Sequence, residues 1–355
     1  MTGGHSLKIL LIRLRSLGDL VLMTPCTRAV KESHPDSYLA VAVDEGSEAI
    51  FAGNPYVDEV LSCPVGNSWA RQLTFLRRLR RGRFDWVFNL HGGPRSALMT
   101  LASGAKRRVG GLQKANAWNR VYNVRVPPFS EILGSPGPFH MVERHLATLR
   151  CGGIRGTPGE LVMPVQPGAR ESVRERLREQ RIDEEEPVVV FHPIPAGNTN
   201  RWGTENFAAL ADALLSSLKV RPVFIGSAGD REEVDGILNE MKTAGLNWCG
   251  ETSLGELAAL LERSDLFVGI DSGPSHLAAG VGVPVVVLWG AATLTTWHPW
   301  TSRLTVVGGS SGGYKTRKEI RHVAAGKKIS EIGVDDVLEA VAAVEWRGNA
   351  RIRTR

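Results

Sequence analysis

The sequence predicts an α/β protein built from two open, doubly wound parallel sheets, and three observations carry that reading. The chain has 355 residues, more than one hydrophobic core usually organises. Short apolar runs rich in branched residues alternate with helical stretches in each half, the pattern of buried parallel strands joined by crossover helices. Between the halves, residues 127–186 loosen into Pro/Gly-rich and charged sequence, where an interdomain connection is expected. The expected domains are 1–165 and 166–355, both Rossmann-like, with the last helix able to pack back on the first domain.

In chain order, residues 8–14, 38–43, 57–61 and 86–90 read as strands of the first sheet. Helices are expected over 17–32, where Pro25 should kink or delay the start, and over 69–81. Two more, over 143–150 and 169–180, fall in the connecting region. The alternation resumes with strand 188–191, helix 204–218, strand 222–225, helix 254–263, strand 266–270 and strand 284–289. In such sheets ligands sit outside the carboxyl ends of the strands, so functional residues should collect there, in a cleft between the domains.

Composition narrows the class. Hydrophobic content of 43% and charged content of 23% describe a soluble globular chain. The four cysteines, Cys26, Cys63, Cys151 and Cys249, lack metal-ligand or CxxC spacing, which disfavours a disulfide framework or zinc site and fits a reducing cytoplasm. No signal peptide or membrane-spanning run is read in the sequence. A formal charge of +6 implies attraction to an acidic partner: nucleic acid, anionic lipid or a phosphorylated substrate. The densest basic cluster is Arg71, Arg77, Arg78, Arg80, Arg81 and Arg83, interleaved with Leu73, Leu76 and Leu79 at helical spacing. It reads either as a solvated helix face or as a surface for an anionic membrane.

Three strand ends carry candidate chemistry. Asp271-Ser272-Gly273-Pro274-Ser275-His276 follows an apolar strand and opens a helix, where free amides and Gly273 suit a phosphate; the alternative is an ordinary capped turn. His192 to Trp202 is a second strand end, in which the Thr199 hydroxyl, Asn200 amide and Arg201 guanidinium are donors for phosphate oxygens; the alternative pairs Arg201 with a surface carboxylate and buries Trp202. After the first strand, Gly18 permits a tight turn before Asp19, ionised at neutral pH and able to act as a general base or simply to face the helix dipole. Arg13 and Arg15 alternate with apolar neighbours nearby and suit an acidic acceptor. The chain has no GxGxxG fingerprint, no GxxxxGK[ST] loop and no Asp-any-Asp pair, which argues against a typical dehydrogenase or P-loop ATPase and leaves arginine and helix dipoles to neutralise a diphosphate.

With these residues in view, the chain resembles glycosyltransferase family 9, the heptosyltransferases that move L-glycero-D-manno-heptose from ADP-heptose onto the lipopolysaccharide inner core. The landmarks are Ile9 to Arg13 leading to Gly18-Asp19 and Pro25, Phe84 to Gly92 with Arg95, the His192 to Trp202 block, and Asp271-Ser272-Gly273 with His276. The resemblance implies a GT-B architecture with the acceptor on the first domain and the nucleotide sugar on the second. It implies a metal-independent, inverting displacement without cofactor, with Asp19 as base. Donor contacts would fall to Thr199, Asn200, Arg201, Asp271, Ser272, Gly273 and His276, and acceptor contacts to Arg13, Arg15, His91 and Arg95. The implied partners are a nucleotide-sugar donor and a lipopolysaccharide core acceptor; contact with the inner face of the cytoplasmic membrane is an expectation from the basic cluster at Arg71 to Arg83, and no nucleic-acid partner is expected. The family usually has lysine where Asn200 stands, and often Asp and Gln at the positions of Asn89 and His91. Rival readings are a transferase for another nucleotide sugar, a nucleic-acid or anionic-surface binder, and a nucleotide-binding relative without catalysis.

Overall fold

The structure, a computed structural model, describes residues 6–111, 117–195, 201–290, 293–309 and 321–346. The chain divides into two compact units, Met1–Pro164 and Val165–Arg355. The first contains β1 (Lys8–Ile12), α1 (Leu17–Ser33), β2 (Tyr38–Asp44), β3 (Glu59–Cys63), α2 (Trp69–Arg81), β4 (Trp86–Asn89), α3 (Pro94–Ala102), β5 (Arg107–Gly110), β6 (Val124–Arg125), α4 (Phe129–Leu133) and α5 (Met141–Cys151). The second begins with α6 (Pro167–Glu179), β7 (Val188–His192), α7 (Thr204–Leu218), β8 (Arg221–Phe224), α8 (Arg231–Glu240) and β9 (Leu246–Asn247). It continues with α9 (Leu254–Arg263), β10 (Leu266–Ile270), α10 (Gly273–Gly280), β11 (Val285–Trp289), α11 (Leu294–Trp297), β12 (Leu304–Gly308), β13 (Arg321–Val323) and α12 (Val334–Ala343).

The first sheet runs β3-β2-β1-β4-β5-β6 and the second β13-β12-β11-β10-β7-β8-β9. All described strand pairs are parallel. Each sheet therefore grows in one direction from its first strand and then in the other. The reversal lies between β1 and β4 in the first unit and between β7 and β10 in the second, the points where open α/β sheets present ligand crevices. Central strands such as β7, β10, β11 and β12 are buried along their whole length, which is why they read as continuous apolar runs. At the second reversal a side chain on Gly269 would press within 3.0 Å of the His192 carbonyl, so a glycine lets β7 and β10 approach there.

Two sequence expectations shift. Helix α1 starts at Leu17 without delay and is continuous across Pro25, where Thr24 Oγ1 donates at 2.8 Å to the Val21 carbonyl, the acceptor that the missing proline N–H leaves open. Strand β3 lies two residues later than read. Helices α3, α4, α8 and α11 and strands β5, β6, β9, β12 and β13 are additions to that reading. Helix α12 packs against α7, β12 and β13.

Candidate functional site

In the first unit the β1/β4 reversal gathers Arg13, Asp19, Asn89 and His91. Asp19 is the third residue of α1 and is buried. Its Oδ2 accepts the Ser16 N–H at 3.3 Å and the Ser16 hydroxyl at 3.0 Å, and forms an ion pair with Arg13 Nη2. Its Oδ1 has no hydrogen-bond partner among the described residues. Burial alone would push the Asp19 carboxyl up, but the Arg13 charge and hydrogen bond, with Ser16, hold it below its ordinary value. The carboxylate is thus anchored through one oxygen and held toward its ionised form, while the other oxygen is buried with its acceptor capacity unused among the described residues.

Arg13 departs from its expected acceptor role: it is buried, and its Nη1 donates to the Leu90 carbonyl at 2.6 Å while Nη2 holds Asp19. It ties the end of β4 to the candidate base. Asn89, also buried, accepts the N–H groups of His91 at 3.1 Å and Gly92 at 3.0 Å and donates to Thr100 and Tyr122, which fixes the turn into α3. His91 follows; burial first, then Arg13 and Arg15, bring its imidazole down to about 4, so it is neutral at physiological pH. Arg95 pairs with Asp44 at 2.7 Å and donates to the Pro64 carbonyl at 2.7 Å. Arg15 is exposed and makes no ion pair among the described residues. Arg15, His91 and Arg95 share the wall of a cavity of about 1060 Å³.

In the second unit the β7/β10 reversal brings His192 and the Asp271 to His276 turn together. Ser272 caps α10, yet its hydroxyl lies 3.1 Å from His192 Nδ1 and makes no cap bond to the helix. The first amides of α10 are therefore not occupied by their own cap side chain, which suits an anion. His276 is buried in the first turn, and Ser275 donates to the Ser272 carbonyl at 2.7 Å. Burial lowers His192 to about 4 and raises Asp271 to about 7, so both groups lean toward their neutral forms.

Arg201 forms an ion pair with Glu233 beside a cavity of about 230 Å³. Trp202 is core: its indole donates to the Ile332 carbonyl at 2.8 Å and its ring meets Phe207 edge-on at 4.9 Å. Thr199 and Asn200 lie outside the described residues. No group of three His, Cys, Asp or Glu among the described residues is placed to hold a metal ion. All four cysteines are free, and burial raises their thiols, to about 12 in Cys249.

The sequence reading missed His145. It lies on α5, which packs against α1, and it is close enough to Asp19 and Arg13 to feel both charges. Burial, reinforced by Arg13, takes its imidazole down to about 3. The available signal was a histidine on the buried face that also carries Met141, Val142, Leu146 and Leu149.

Comparison with known proteins shows the family and the fold. The sequence profile of glycosyltransferase family 9 (heptosyltransferase) matches residues 72–325. The chain is 26% identical to lipopolysaccharide heptosyltransferase 3 of Escherichia coli K12, over 92% of this chain and 95% of that protein. A solved family 9 glycosyltransferase from Veillonella parvula superposes with a TM-score of 0.81 at 24% identity, covering 95% of this chain and 96% of the other. The E. coli ADP-heptose lipopolysaccharide heptosyltransferase II superposes with a TM-score of 0.77 at 24% identity, covering 95% and 98%. The two Rossmann-like sheets are those of the GT-B class.

Proposed function

The chain belongs to glycosyltransferase family 9, and from that premise we propose that it transfers a heptose from ADP-heptose to the lipopolysaccharide inner core with inversion at the anomeric carbon. The observation that carries the mechanism is Asp19, held toward its ionised form, anchored through Oδ2 and buried without a hydrogen-bond partner at Oδ1 among the described residues. The acceptor hydroxyl gives its proton to Oδ1 as its oxygen bonds to the anomeric carbon. The bond from that carbon to the diphosphate oxygen breaks, and ADP leaves with the electron pair. Arg15, His91 and Arg95 hold the acceptor. In the second unit, the α10 amides and Ser272 meet the diphosphate, and Arg201 joins them by leaving Glu233. Asp271, near its neutral form, meets an anionic ligand without the repulsion of a full charge. This assignment needs no metal step. The names of the relatives, a lipopolysaccharide heptosyltransferase and an ADP-heptose enzyme, support the donor and acceptor. The proposal keeps the cytoplasmic location expected from the cysteines and the membrane contact expected from the basic cluster at Arg71 to Arg83.

The test is turnover with a panel of nucleotide sugars and truncated lipopolysaccharide cores, read as ADP release and as mass gained by the acceptor. Heptose transfer from ADP-heptose alone is expected, with the product of inverted anomeric configuration. Preference for another donor assigns another sugar; ADP binding without transfer to any core overturns the enzymatic reading.

A further inference from the structure

The large apolar side chains that remain exposed among the described residues are Val65, Trp69, Leu73, Leu98, Leu101 and Trp118, all in the first unit. All but Leu101 line the cavity that also holds Arg15, His91 and Arg95. They come from separate stretches: the loop before α2, α2 itself, α3 packed against it, and the turn at Ala117–Val121. Trp69 is 86% exposed, an extreme value for the largest apolar side chain. Isolated exposed apolar residues need no explanation, but a patch gathered on one rim marks an interaction surface.

Charge on the same helix narrows the partner. Trp69, Leu73, Leu76 and Arg80 stand at i, i+4, i+7 and i+11 of α2 and share one side of it, while only Phe75 and Leu79 are buried in the core. Arg71 and Arg78 are neutralised by Glu45 and Glu59. Arg77, Arg80 and Arg81 have no carboxylate partner among the described residues and are exposed. An aromatic and aliphatic rim bordered by uncompensated arginines fits an interface with apolar depth and negative surface charge. Nucleic acid supplies the charge without the apolar depth.

We propose that the rim formed by Val65, Trp69, Leu73, Leu98 and Trp118, with Arg77, Arg80 and Arg81 beside it, docks the first unit on an anionic phospholipid bilayer. Trp69 and Leu73 enter the boundary between headgroups and acyl chains, and the arginines engage lipid phosphates. The cavity then opens at the bilayer surface, with Arg15, His91 and Arg95 facing a polar group that projects from it. This deepens the location in the functional reading but uses no step of the reaction.

The test is vesicle flotation of the full chain on phosphatidylcholine with and without phosphatidylglycerol, in low and high salt, with no sugar substrate present, so that it stands or falls apart from glycosyl transfer. Wild type is expected to float with the anionic vesicles and to release in high salt. Trp69→Ser combined with Leu73→Gln should weaken binding by about tenfold or more. Arg77→Gln with Arg81→Gln should weaken it by roughly fivefold for each arginine removed. Brominated lipid should quench wild-type emission more than that of Trp69→Phe, a comparison that needs no disruptive substitution. Equal quenching, flotation unaffected by the variants, or no flotation of wild type overturns the proposal. So does a Trp69→Ser/Leu73→Gln variant that turns a dimer into a monomer while lipid binding is unchanged, since the rim would then belong to a second copy.

Discussion

The two units reverse their sheets in the same way and equip the reversal in opposite ways. At β1/β4 the charges are fixed inside the protein: Asp19 is held ionised by Arg13, and Asp44 balances Arg95. At β7/β10 burial drives His192 and Asp271 toward neutrality, and Arg201 stands apart on Glu233. A site that must present a base keeps its charge and compensates it locally. A site that receives a charged ligand gains from neutral walls, helix dipoles and a cation able to change partners.

The largest effect should follow removal of the charge from the first site. Asp19→Asn is expected to lower kcat by about 10²- to 10⁴-fold while ADP affinity is unchanged, because the amide keeps the shape but is no base. Near wild-type kcat would remove Asp19 from the role. The second site should respond in affinity. Arg201→Ala should weaken ADP by about 1.5–3 kcal/mol with little effect on adenosine. Glu233→Gln should tighten ADP several-fold, since the guanidinium no longer has to leave a carboxylate. Calorimetry with both ligands tests the pair, and loss of ADP affinity in Glu233→Gln would show that the ion pair builds the pocket.

The smallest effect is on stability. Asp271 is raised to about 7 in the folded chain, while an unfolded Asp titrates near ~3.9. The folded state therefore binds the extra proton between these values, and stability falls as pH rises from about 4 to about 7. Asp271→Asn removes that slope: its Tm should match wild type near pH 4 and exceed it at pH 8 by on the order of 5 °C. A Tm difference independent of pH would show that Asp271 is ionised throughout.

Much of the fold was legible because central strands are apolar along their length and the helices between them are amphipathic. Helices α2, α7 and α9 and strand β10 carry the bounds read from sequence. The pattern failed where composition is polar or short: β5 is Arg-Arg-Val-Gly, and α3 starts at Pro94 after Gly93. Pro25 misled because the compensating hydroxyl of Thr24 is a geometric fact that helix propensity does not encode. At the site, the placement of Asp19, Ser272 and His192 at strand ends followed from the motifs. The partners of those residues did not. Whether Arg13 faces a ligand or holds Asp19, and whether a histidine on α5 lies beside both, depends on which side chains pack across elements far apart in sequence.

Asp19→Asn also strips the buried Arg13 of its ion-pair partner, so the pH dependence of kcat in wild type and Arg13→Met is the more direct test. Because Arg13 holds the Asp19 carboxyl below its ordinary value against the push of burial, turnover in wild type should persist on the acid side down past ~4, the usual carboxylate range. Without the guanidinium, burial prevails, and the acid limb of Arg13→Met should move to higher pH, with kcat recovering as pH is raised. Superimposable acid limbs in the two proteins would contradict Asp19 as the base held ready by Arg13.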